Sequence, residues 1–210
     1  MRTVLLFLLF GVFASAAQAA ELAISEIAII PIHGGFNTVE HFAADDRTAT
    51  VIRAWRGNGN AHGHYSYLVL LPLVESRGTD GEMGVVAFDD GVSPLKDTAS
   101  VSPFDGERVL GALRFARAKL DGVAATVVIR ADLGESDSGI LADHAPVDIS
   151  IYRLEQPDTG AGTTPDVFRI VSKARPTARF CNADMALTTI LHLPLPADYA
   201  GGAGPSGCGD

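Results

Sequence analysis

The sequence predicts an all-β protein: an antiparallel β-sandwich of about eight strands with a short C-terminal helix. Three observations carry this expectation. Apolar and polar residues alternate with a period of two, most cleanly where Val147, Ile149 and Ile151, expected to face in, are interleaved with Asp148, Ser150 and Tyr152, expected to face out. Clusters of Gly, Pro, Asn and Asp separate these segments at short intervals, and no βαβ alternation is visible, so the strands are expected to pair antiparallel. The period turns plainly helical only after Cys181. Two packed sheets are the natural way to bury so many two-faced strands.

In chain order, residues 1–19 read as a cleaved signal peptide. Arg2 supplies the charged start, residues 4–13 the apolar stretch, and Ala17-Gln18-Ala19 the cleavage motif. That apolar stretch is too short to span a bilayer, and no later one reaches about 18 residues, so a periplasmic protein without a membrane anchor is expected. Residues 20–198 form the sandwich domain, and residues 199–210 are a Gly-rich tail.

Residues 22–32 are apolar on both alternating faces and read as a strand buried on both sides, stopped by Pro31 and the Gly34-Gly35 pair. Residues 48–56 form the next strand, with Thr50, Ile52 and Ala54 on one face and Val51, Arg53 and Trp55 on the other. Asn58, Gly59 and Asn60 are turn residues that tolerate positive φ, leading into a long strand over 65–73 closed by Pro72. A short strand follows over 83–88, and residues 92–105 are a polar loop holding Pro94 and Pro103.

Residues 107–120 are ambiguous. Val109, Leu110, Leu113, Ala116 and Leu120 approach helical spacing, while Leu113 and Phe115 alternate around Arg114. A strand is favoured for part of the segment, because Asp121-Gly122 is a strong hairpin turn leading into a strand over 123–131. Strands over 147–154 and 167–172 complete the set. A short helix follows over 181–191, capped by Asn182, with Asp184 in its first turn and Pro194 beyond its end.

The chain carries 16 Lys+Arg and 25 Asp+Glu, a formal charge of −9; loss of Arg2 with the leader makes it 15 against 25, or −10. Such a charge repels phosphate backbones and anionic membrane surfaces, so no nucleic-acid partner is expected; a basic protein partner or a small molecule is compatible with it. Cys181 and Cys208 are the two cysteines, and an even count in an exported chain suggests a disulfide that tethers the Gly-rich tail. Two free thiols or a metal pair is the other reading.

Residues 53–72 are the densest stretch of candidate binding groups. They hold the single Trp, Trp55, with His62, His64, Tyr65 and Tyr67. His62 and His64, two residues apart, share a strand face and are candidate metal ligands, with His33 and His41 as further donors; the other reading is a hydrogen-bonded turn exit. Trp55, His62 and Tyr65 are candidate binding residues at the sheet rim. A second, separate candidate site lies in Asp132, Glu135 and Asp137, whose oxygens suit Ca²⁺ or another divalent cation, although polar loops of this composition are common. No cofactor is otherwise indicated. Neither Gly-x-Ser-x-Gly nor His-Glu-x-x-His occurs, no phosphate-cradling Gly loop opens a helix, and the cysteines are expected to be oxidised, so the protein is expected not to be an enzyme.

Several motifs recur together in a known family. Behind the signal peptide come Asn60-Ala61-His62-Gly63 after a charged strand, residues 113–120 leading through Asp121-Gly122 into 123–131, and Phe180-Cys181-Asn182-Ala183-Asp184-Met185-Ala186-Leu187. In this order they resemble the carbapenem intrinsic resistance proteins of Gram-negative bacteria, a family structurally similar to the periplasmic inhibitors of invertebrate-type lysozyme. The resemblance implies a periplasmic, homodimeric β-sandwich with no known catalytic activity, able to bind a cation and to protect the cell from a carbapenem. The lysozyme inhibitors insert a Ser-Gly-x-x-Tyr loop into their target, which makes Ser138 and Gly139 candidate binding residues. Here Ile140, Leu141 and Ala142 follow, so the Tyr is absent and the resistance-like branch is favoured. The expectation is an exported, non-enzymatic binding or protection protein. An inhibitor of a lysozyme-like hydrolase and a metal-binding envelope protein are the alternatives.

Overall fold

The computed structural model describes residues 22–59, 62–73, 81–102, 110–136, 138–139, 143–156, 166–199, 202 and 204–208; residues 1–19, expected to be a signal peptide, lie outside them. The described strands, in chain order, are β1 (Ile24–Ile30), β2 (Gly35–Val39), β3 (Ala49–Arg56), β4 (His64–Pro72), β5 (Met83–Val85), β6 (Ala87–Asp89), β7 (Thr98–Val101), β8 (Gly111–Leu120), β9 (Val123–Leu133), β10 (Val147–Glu155) and β11 (Val167–Ala174). One helix, α1 (Ala183–Leu191), follows them.

The strands form two sheets. The larger has the order β1-β8-β9-β10-β11-β6; the smaller runs β2-β3-β4-β5, with β7 also paired to β4. All pairs are antiparallel except β11 with β6, which run parallel through Val167↔Ala87, Phe168↔Phe88 and Arg169↔Asp89. The expected β-sandwich is present, with eleven described strands rather than about eight. The single strand expected over 83–88 is split at Val86 between the two sheets. Two further strands, β2 and β7, come from stretches whose polar composition hid them; both are short and half-exposed, where backbone pairing rather than side-chain burial forms the strand.

The ambiguous segment is a strand from Gly111. Asp121 (φ 49°) and Gly122 (φ 81°) both take positive φ, the turn that matches strand twist, and β8 pairs with β9 without interruption from Leu120↔Val123 to Gly111↔Asp132. A strand also places the two apolar sets correctly: Ala112, Ala116 and Ala118 face one side, Leu113 and Phe115 the other. Residues 22–32, in contrast, are not buried on both faces. β1 is an edge strand paired to β8 alone, bulged between Ser25 and Ala28, with Ser25, Glu26 and Ala28 exposed.

The molecule is therefore layered as small sheet, large sheet, helix. Between the sheets lies an aromatic core in which Phe115 and Phe168 are 6.1 Å apart edge to face, and Phe42, from the β2–β3 connection, packs on both. On the other face of the large sheet, α1 sets Ala183, Ala186, Leu187 and Ile190 against Ala116, Val127, Ile129 and Ile149. The small residues on both surfaces let helix and sheet approach closely. Asn182 caps the helix as expected, its side-chain oxygen accepting from the N–H groups of Asp184 (2.8 Å) and Met185 (3.3 Å). His192, in the left-handed region, ends it. No helix among the described residues is long and apolar enough to cross a membrane.

Two long-range ties hold the ends. Arg47 donates to both oxygens of the buried Asp166 (2.9 and 2.8 Å) and to the Pro72 carbonyl (2.9 Å), joining the small sheet to the start of β11. Cys181 and Cys208 are joined by a disulfide, as expected, which lays the tail back on the helix N-terminus, where the Cys181 N–H donates to the Ser206 carbonyl (2.9 Å).

Candidate functional site

On β9 the alternation that buries Val128 between the sheets brings Arg130 and Asp132 onto the same inward face, nearer the edge of the small sheet. On β10 the same alternation sets Ser150 and Tyr152 on one face, opposite Ile149 and Ile151, and turns both toward the space between the sheets. Opposite them, β7 is only four residues long and contributes the small Ala99 and Ser100. The sheets consequently part there around a cleft of about 640 Å³, in the size range of small-molecule sites. Phe88, Leu113 and Val128 make its apolar floor, and Lys96, Arg130, Ser150, Tyr152 and Lys173 are among its polar walls.

The charges of the cleft are ordered. Arg130 donates to Asp132 through Nε (2.6 Å) and Nη2 (2.8 Å). Burial opposes the Arg130 charge, but the paired carboxylate outweighs it and keeps the guanidinium pKa above its ordinary value. Burial likewise raises the Tyr152 hydroxyl, which stays protonated and able to donate. At the mouth, Asp90 accepts from the N–H groups of Ser93 (2.7 Å) and Val92 (3.0 Å) and from Lys96 Nζ (3.1 Å), contacts that hold its carboxyl well below the usual range. Lys96, Arg130 and Lys173 thus face Asp90 and Asp132, an excess of one positive charge in a chain of formal charge −9. The arrangement suits a small anionic molecule with an apolar body.

A Ser-x-x-Lys spacing also lies in the cleft. Ser93-Pro94-Leu95-Lys96 has the Ser-x-x-Lys spacing of some serine acyltransfer sites. It sits on a loop rather than at a helix start, and its Lys is engaged by Asp90, so the turn itself accounts for these residues. The other cleft residues missed in the sequence, Arg130, Tyr152 and Lys173, carried one usable signal: a charged pair two residues apart on the inward face of an otherwise apolar strand.

The residues singled out in the sequence are spread over four places. Asp132 belongs to the cleft, where Arg130 holds it. Glu135 is exposed on the following loop, and Asp137 lies outside the described residues. Ser138 donates from its hydroxyl to Asp143 (2.7 Å), and Gly139, at φ 71°, turns the loop; both are exposed. Trp55 and Tyr65 do meet, as directly paired residues of β3 and β4, ring centroids 4.8 Å apart and edge to face. The indole lies over Gly63, where a Cβ would come within 2.1 Å of the ring. His62 precedes β4 and its carbonyl accepts from Asn58 Nδ2 (2.7 Å), while His64 opens the strand.

Among the described residues neither His62 and His64 nor Asp132 and Glu135 belong to a group of three donors close enough to share an ion. The one such group is His144, Cys181 and Cys208, whose sulfurs are bonded to each other, leaving no thiolate to ligate.

No family model matches the sequence, and no curated protein matches it. Among solved structures the chain is similar to the crystal structure of CarG, with a TM-score of 0.57 and 16% identity over 77% of this chain and 94% of that chain. At this identity the likeness is one of fold.

Proposed function

We propose that the protein is an exported, non-enzymatic binding protein of the periplasm that protects the cell by holding a small anionic molecule in the inter-sheet cleft. The observation that carries this reading is the cleft itself: an apolar floor, a net positive wall and hydrogen-bonding groups from Ser150 and Tyr152, in an otherwise acidic chain. The motif resemblance to the carbapenem intrinsic resistance proteins, together with the CarG fold, makes a carbapenem the first ligand to try; its carboxylate and compact apolar frame match the chemistry of the cleft. Non-enzymatic action is favoured because the described lining holds no His to activate its hydroxyls, and Lys96, spaced to serve Ser93, is paired with Asp90.

The reading is tested by calorimetry with a simple carbapenem and its hydrolysed product, alongside chromatography of the drug and mass spectrometry of the protein. Saturable binding that is weakened about tenfold or more by Lys173→Ala, with the drug recovered intact, supports it. Consumption of the drug, or an adduct on Ser93, would replace binding with catalysis. Absence of binding, together with unchanged carbapenem susceptibility on deletion and on overexpression, removes the protective role, and an assay against several lysozymes then addresses the inhibitor alternative.

A further inference from the structure

Beyond the inter-sheet cleft, a second cleft of about 370 Å³ opens on the other side of Leu113, which lines both. Its walls include Ile30, Ile32, Tyr67 and Phe115, and the chain leaving α1, residues 194–198, crosses it. Two guanidiniums line it: Arg114, which is held by Asp184, and Arg53, which is set among these groups with its side chain 17% exposed. Its carbon stands 3.9 Å from the Tyr65 ring centroid, which fixes the plane of the group.

The fork of Arg53 is only half used. Nη2 meets Asp198 Oδ2 at 3.3 Å, while the Nε–H on the same edge is buried with no acceptor among the described residues. The chain shows what a satisfied edge looks like: Arg130 places Nε and Nη2 on Asp132 at 2.6 and 2.8 Å, and Arg175 uses the same two atoms on Asp148. A buried donor without a partner is costly, and a carboxylate seated side-on would satisfy both N–H groups at once. Asp198 is 62% exposed and belongs to a turn in which the Tyr199 N–H donates to the Pro196 carbonyl (3.1 Å). It reaches the guanidinium from a surface segment, as a loosely placed occupant.

We infer that this cleft is a binding site for a small monocarboxylic acid with an apolar body, whose carboxylate takes the Nε/Nη2 edge of Arg53 and displaces Asp198. The apolar walls receive the body of the acid, and Asp198 acts as an internal competitor that keeps the guanidinium paired when the site is empty. The inference rests on the Arg53 geometry and is independent of the inter-sheet cleft.

Trp55, the single tryptophan, packs on the same Tyr65 ring and is 52% exposed, so its fluorescence reports on the site. The full mature chain is titrated with benzoate and with benzamide, a neutral body of the same shape. A saturable change with benzoate and none with benzamide is expected, with affinity about tenfold tighter in Asp198→Ala because the competitor is gone. Arg53→Gln abolishes the response, and Arg53→Lys, which keeps the charge but loses the fork, weakens it about tenfold in case the first variant does not fold. The inference is overturned by any of three results: no saturable response in either the native protein or folded Asp198→Ala, equal responses to acid and amide, or a benzoate response that Asp198→Ala leaves unchanged or weakens.

Discussion

Arg130 and Asp132, two residues apart on β9, form a two-point pair inside the inter-sheet cleft, Nε and Nη2 of one on the two carboxylate oxygens of the other. Since both side chains are partly exposed, the pair contributes little to stability, and Asp132→Asn is expected to cost less than about 1 kcal/mol in a denaturant melt. The same substitution frees the fork and leaves Lys96, Arg130 and Lys173 facing only Asp90. Binding of an anionic ligand in the cleft should therefore tighten a few-fold, read by calorimetry. Weaker binding in the variant would mean that Asp132 itself contacts the ligand as a hydrogen-bond acceptor.

Arg47 and Asp166 behave differently because they are buried. Asp166→Ala strands a guanidinium that also serves Pro72, with only Asp45 left as a charged partner, and should cost about 3 kcal/mol in a urea melt. The paired replacement Arg47→Met with Asp166→Leu should lose less than the sum of the two single changes, since it removes both charges.

Asp184, beside Arg114 at the start of α1, has its pKa raised by burial, with Arg114 acting in the opposite direction. Between the ordinary carboxylate value and that raised one, the folded chain binds more protons than the unfolded chain, so this group makes stability fall as pH rises through that window. In Asp184→Asn the term disappears. Melting temperatures measured from pH 4 to pH 6 should rise more steeply with pH in the variant than in the native protein, whatever the offset between them.

The disulfide closes the chain from Cys181 to Cys208 and lays the Gly-rich tail on the helix N-terminus. Its reduction should lower stability by roughly 3–4 kcal/mol. Hydrogen exchange should increase first at the Cys181 N–H, whose acceptor is Ser206, while the amides of β8 and β9 stay protected.

Gly63 leaves the space that the Trp55 ring occupies. Gly63→Ala should expel the indole from Tyr65, shifting its emission to the red and costing about 1–3 kcal/mol, with the β3–β4 pairing kept.

Much of the fold is legible in the chain because it is written locally. The two-residue alternation of 147–154, the Asp121-Gly122 turn and the Asn182 cap depend on neighbours a few residues away, and each is found, but Ser150 and Tyr152, expected to face out, turn into the cleft because the second sheet covers that side of β10. The edge position of β1 and the strands β2 and β7 were not legible, since an edge and a half-exposed strand carry no distinct periodicity. For the candidate sites, Trp55 and Tyr65 could be expected to meet because a hairpin joins them. The cleft walls could not, because Lys96, Arg130 and Lys173 come from separate strands and loops.

By itself the sequence determined the all-β class and most of the strands, the one hairpin turn that settles 111–133 and the helix with its cap, all consequences of backbone propensity and short-range pattern. Only the tertiary structure decided which sheet each strand joins, that α1 covers the outer face of the larger sheet, and that Arg47 meets Asp166 across 119 residues and Arg53 meets Asp198 across 145. The physical reason is that a buried or half-buried charge selects its partner by position in the packed molecule, and that position is set by the joint burial of both sheets rather than by any one segment.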